Sequence, residues 1–136
     1  MFINDMSVLV GQTISRISPV EKGTEAFLMV MDNGKRYGFY HMQDCCETVE
    51  IEDVVGDIAD LIGSPLVRAE ERSQKDDNAC ESGTWTFYEL ATNKGSVTIR
   101  WYGSSNGYYS ESVDFIALAE GEKFGYGMDA FKMIDI

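Results

Sequence analysis

The segment TWTFYELATNKGSVTIRWY, from Thr84 to Tyr102, leaves the backbone few alternatives. In its second arm Val97, Ile99 and Trp101 alternate with Thr98, Arg100 and Tyr102. That period of two sorts apolar from polar side chains only on a β-strand with one buried face. The first arm is rich in aromatic and β-branched residues, which suit a pleated surface. Between the arms, Thr92-Asn93-Lys94-Gly95 fits a hairpin loop of three to five residues with Gly95 in a left-handed position. A chain built round this hairpin must complete a sheet and bury one side of it.

A second hairpin is expected over Glu25 to Met42, where Asn33-Gly34 has the residues that a two-residue type I′ turn demands. Gln12 to Val20 reads as a first strand, SPLVRAEERS as a further one, and YYSESVDFIAL as another with Val113 and Phe115 inward. One stretch has helical spacing instead. Val54, Val55, Ile58, Leu61 and Ile62 form an apolar stripe, followed by Gly63 and then Pro65. The spacing predicts a short helix over residues 53–62. The expected fold is α+β: one domain over residues 1–136, a mostly antiparallel sheet of about five to seven strands, and that helix packed on it. At 136 residues a second independent core has no room.

Charge supplies the functional signal. The chain carries 23 acids against 11 bases, a formal charge of −12. From Asp44 to Glu81 twelve acids face only Arg68, Arg72 and Lys75, so nine of the twelve excess negative charges fall in that segment. Direct nucleic-acid binding is disfavoured, because its affinity comes from cations that neutralise phosphates. The same field draws in a basic protein surface. On the predicted helix Asp53, Asp57 and Asp60 share one solvent-facing ridge, with Glu50 and Glu52 just ahead and Glu47 at the margin. Like charges at this spacing weaken a helix by about 0.2–0.5 kcal/mol each, so the ridge is not shaped for stability. These six carboxylates are the expected partner contacts.

The remaining chemistry is sparse. No membrane-spanning run or basic secretory leader is evident, and the expected location is the cytoplasm. Cys45, Cys46 and Cys80 are read as reduced thiols, the adjacent pair facing the core or structural. His41 with Cys45 and Cys46 is the alternative metal or thiol centre, with Asp44 beside it, but adjacent cysteines do not have the spacing of a zinc site. No metal, cofactor or catalytic residue is expected. Trp85, Phe87 and Trp101 are expected in the core, and Tyr108 and Tyr109 in the SNGYY turn form a secondary interaction patch.

The run HMQDCCETVEIEDVVGDIADLIGSPLVRAEE, with TWTFY and KGSVTIRWYGSSNGYYSESV, resembles a family of small phage and bacterial proteins. Its D-C-C-E core, G-D-x-x-D-L-I-G segment and R-W-Y-G-S-S-N-G-Y-Y turn carry the resemblance. The resemblance implies a phage setting and no particular catalysis. By analogy of size, charge and setting, the expected function is a non-enzymatic inhibitor of a bacterial nucleic-acid-handling defence complex, of anti-CRISPR or DNA-mimic type. A structural, homo-oligomeric phage component is the other alternative.

Overall fold

Alternation governs the architecture. The computed structural model describes residues 1–128 and 132–136. Its first sheet has β1 (Ile14–Ile17), β2 (Ala26–Met31), β3 (Arg36–Tyr40) and β8 (Asp114–Leu118), in the order β1-β2-β3-β8. The second has β4 (Thr48–Val55), β5 (Arg68–Lys75), β6 (Ser82–Thr92) and β7 (Gly95–Ser105), in the order β4-β7-β6-β5. All pairings within both sheets are antiparallel. A small hairpin of β9 (Phe124–Tyr126) and β10 (Lys132–Ile134) follows.

The two sheets bury their facing sides against each other. Phe27, Met29, Met31, Tyr37, Phe39 and Phe115 of the first share one hydrophobic cluster with Val49, Ile51, Tyr88, Leu90, Val97, Ile99 and Trp101 of the second. Phe39 stands at its centre, 4.5 Å from the Phe27 ring, 4.8 Å from Phe115 and edge-on to Tyr88 at 5.1 Å. On the far side of the first sheet, Ala26, Leu28 and Ile116 pack beneath Phe124 of the small hairpin. Gly38 lets that hairpin close: a Cβ there would stand 2.7 Å from the Phe124 ring.

The turns invert their expected lengths. Thr92 pairs with Gly95, so Asn93-Lys94 alone makes the β6–β7 turn. At the other hairpin Met31 N–H donates to Lys35 O, which leaves a three-residue loop with Gly34 at φ 87°.

The expected helix over residues 53–62 is absent, and the α+β assignment is corrected to all-β: the described residues contain ten strands and two 3₁₀ turns, and no α-helix. Asp53, Val54 and Val55 belong to β4, paired with Arg100, Ile99 and Thr98. Gly56 then turns the chain at φ 108°, with the site of a Cβ only 2.5 Å from Ser96 O. A 3₁₀ turn, Ile58–Leu61, follows with Asp57 as its cap. Of the stripe, Leu61 is in the core and Val54, Ile58 and Ile62 pack against it, while Val55 is exposed. The same stripe is met by a strand and a tight turn, without the like-charge row that a helix imposes. Among the described residues no helix is long and apolar enough to cross a membrane.

Gly103 tests this packing. A Cβ there would stand 2.6 Å from Glu111 O and 2.9 Å from Glu111 Cβ. Gly103→Ala is expected to lower stability by about 1–3 kcal/mol, read as a lower denaturant midpoint at unchanged m-value.

Candidate functional site

The D-C-C-E segment forms the loop between β3 and β4, and its centre is a carboxylate. Glu47 is buried, and its Oε2 lies 2.8 Å from His41 Nε2. The same carboxylate accepts from Asp44 N–H at 2.9 Å, Cys45 N–H at 2.8 Å and Gln43 Nε2 at 3.2 Å. Burial pushes the Glu47 carboxyl up, but hydrogen bonds from His41 and from the Asp44 and Cys45 amides outweigh it and hold the group at about 2. The other ring nitrogen of His41, Nδ1, lies 2.6 Å from Ser112 O. Both ring nitrogens therefore face oxygens of the surrounding loop segments. This pair ties the crossing between the sheets to the segment that leads into β8. Glu47 is thus an internal anchor and not a surface charge, and both ring nitrogens of His41 are engaged by Glu47 and Ser112 O.

The cysteines also differ from expectation. Cys45 and Cys46 are exposed, not core-facing, and their sulfurs are joined as a disulfide between adjacent residues. Cys80 is exposed and unbonded. Cys46 and Cys80 line one cleft of about 410 Å³ together with Tyr102, Ser104 and Tyr109. Below it Glu111 is buried and accepts from Thr84 Oγ1 at 2.7 Å, from Ser105 Oγ and from Lys75 Nζ at 3.4 Å. Burial raises the Glu111 carboxyl, and the Ser105 and Thr84 hydroxyls lower it further than that. Tyr102 OH donates to Asp76 at 2.7 Å, a bond that pushes the phenol up to about 12. Glu111 with Ser105 and Thr84, and Asp76 with Tyr102, thus satisfy one another beside the cleft. Among the described residues no group of three or more His, Cys, Asp and Glu is placed to hold a metal ion. Tyr108 is exposed, edge-on to Tyr109 at 5.1 Å.

The acidic residues line the β4 edge of the second sheet and the turn after it. Glu50 lies opposite Tyr102, and Asp53 opposite Arg100, whose Nη1 it meets at 2.9 Å. Glu52 falls at the bulge and lies 3.6 Å from Lys22. Asp57 accepts from Ala59 N–H, and Asp60 lies against Gly95. Glu50, Glu52 and Asp53 lie on the β4 edge, and Asp57 and Asp60 on the turn that follows it, where Thr92 Oγ1 donates to Asp60 O beside the β6–β7 turn; they form no helical ridge. Part of that edge is closed by backbone bonds of Gly23 and Thr24 to Ile51.

The outward face of the same sheet is a feature that the sequence reading placed wrongly. Trp101 is in the core, but Trp85 and Phe87 lie outside both core clusters and are half-buried. They stack at 6.1 Å with an interplanar angle of 11°, and Tyr102 meets Trp85 edge-on at 4.7 Å. The Arg100 guanidinium lies 5.0 Å from the Trp85 ring centroid, and that of Arg72 lies 5.1 Å from Phe87. Arg72 arrives from β5, so only strand pairing brings it here.

The Glu47 anchor gives a pH dependence. Its folded value, about 2, lies below the ordinary 4.5, so the unfolded chain binds the proton more readily between these values. The contribution is complete above about pH 4.5 and is lost as pH falls towards 2. Glu47→Gln removes one partner of a buried pair and is expected to cost about 3 kcal/mol at neutral pH. It should also flatten the acid limb of a stability-against-pH curve measured by denaturant titration.

No curated protein and no solved structure matches the chain. A match to a domain of unknown function, DUF7448, extends over residues 7–115, from the 3₁₀ turn Met6–Leu9 into β8 and through both sheets. The chain belongs to the DUF7448 family.

Proposed function

We propose that the protein is a non-enzymatic binding protein that presents the acidic edge of its second sheet to a basic partner protein. The observation that carries this reading is the row Glu50, Glu52 and Asp53 on the β4 edge, continued by Asp57 and Asp60 on the turn after it; among the described residues Lys22 meets Glu52 and Arg100 meets Asp53. Charged residues on an edge strand guard against pairing with other chains. For that purpose mixed signs serve, and β5, the opposite edge, has them: Arg68, Glu70, Glu71, Arg72 and Lys75. A row of one sign sets like charges side by side, which a sheet does not gain from. It does raise the rate of encounter with a cationic surface. Complexes that hold nucleic acid expose dense Lys and Arg grooves. Together with the resemblance to phage proteins, this makes a host defence complex the partner class, with inhibition by occupation of its groove.

The test is capture from bacterial lysate at low and high salt, with bound proteins identified by mass spectrometry. The wild-type chain is expected to retain a basic protein at low salt and release it at high salt. The variant Glu52→Lys/Asp57→Asn/Asp60→Lys, in which Asn keeps the turn's cap, should retain roughly tenfold less. Equal capture by the folded variant sinks the reading.

A further inference from the structure

We propose that the outward face of the second sheet docks a second copy of this chain, face to face, about a two-fold axis parallel to the strands. The proposal concerns the aromatic face, and is tested on the purified protein without any partner.

The argument rests on the order of residues across the sheet. Reading from β5 through β6 and β7 to β4, the pairings align Gln74, Trp85, Tyr102 and Glu50 in one row. The next holds Arg72, Phe87, Arg100 and Asp53, and the third Glu70, Glu89, Thr98 and Val55. A two-fold axis along the strands lays each row on its own reverse. Asp53 then faces Arg72 of the second copy, and Phe87 faces Arg100. Trp85 meets Tyr102, Glu50 meets Gln74, Glu89 meets Thr98, and Glu70 meets Val55. Every charge lands on an opposite charge, an aromatic ring or a neutral side chain. A two-fold axis across the strands instead lays β4 on β4 and sets the two acidic edges against each other. Charge alone selects the first arrangement.

The geometry suits such packing. Aligned sheets pack about 10 Å apart with an offset near 30°. At the outer strands, about 7 Å from the axis, this displaces facing residues by about 4 Å, within reach of an arginine. Both arginines are already held in place, Arg72 by Glu89 at 2.8 Å and Arg100 by Asp53 at 2.9 Å. The centre is aromatic and the margin charged, the usual division of a protein interface. Four strands about 4.8 Å apart and about eight residues long present about 500 Å² per copy. The total, roughly 1,000 Å², lies at the low end for specific association, so the dimer should be reversible with a dissociation constant of about a micromolar.

Sedimentation equilibrium on the full chain reads the result. At a concentration about a hundredfold above that constant the wild type is expected to be dimeric. Asp53→Asn and Arg72→Gln each remove the charge pair across the axis without setting like charges beside Arg100 or Glu89 of the same chain. Each should weaken the dimer about tenfold, and the double variant should be little weaker than either single one, with the denaturant midpoint of each reporting that the chain is folded. A wild type that stays monomeric at that concentration overturns the proposal. So does a dimer indifferent to both single changes, because it uses another surface. A monomer whose Trp85→Ala variant loses capture of a basic protein assigns the face to that protein instead.

Discussion

The rest of the structure depends on the uninterrupted pairing of β6 with β7. Eleven residue pairs, from Ser82↔Ser105 to Thr92↔Gly95, run without a bulge. Because side chains alternate, this register decides the occupants of both faces at once. Inward it sets Tyr88, Leu90, Val97, Ile99 and Trp101 against the Phe27–Phe39 stack of the first sheet. Outward it sets Trp85 and Phe87 beside Arg100 and Tyr102. The strands on either side, β4 and β5, inherit their positions from this pair.

The acidic segment separates into parts with different physics. Glu47 is withdrawn from water and surrounded by donors, so its charge holds a loop together. Asp57 caps a turn. Asp53 steadies Arg100, which in turn covers Trp85. The charge that looks uniform in sequence is thus divided between internal work and an exposed edge. The adjacent cysteines lie beside the anchor, yet their side chains face solvent, because it is the Cys45 amide that Glu47 requires.

Much of the β structure was legible in the sequence, and the failures have specific causes. Both hairpins, the strand after Pro65 and the inward set Val97, Ile99 and Trp101 follow from alternation and turn residues. The predicted helix fails because Val54, Ile58, Leu61 and Ile62 fit a helical stripe and also fit a strand followed by a 3₁₀ turn. Gly56, which needs a positive φ and the nearness of Ser96, decides between them, and that contact joins segments forty residues apart. Trp85 and Phe87 were misplaced because aromatic character does not say which face of a strand is buried. The register, which pairs Phe87 with Arg100, sets them outward. The Glu47 anchor left no periodic signal, since its donors are two backbone amides of its own loop and the side chains of His41 and Gln43.

The acidic edge and the aromatic face bear on each other through symmetry. In the proposed dimer β4 of one copy lies over β5 of the other, so the two acidic edges run along opposite flanks of the assembly. Glu50 and Asp53 are then drawn into the interface, while Glu52 stays at the flank and Asp57 and Asp60 on the turn at the end of the sheet. The dimer offers two such rows at a fixed separation. A partner with a single basic groove gains little from this, because the two flanks face apart. A partner with repeated basic surfaces gains by avidity, since the first contact holds the second row at high local concentration. Weak self-association then acts as a control on the acidic edge. Below the dimer's dissociation constant each row binds alone, and above it the rows act together.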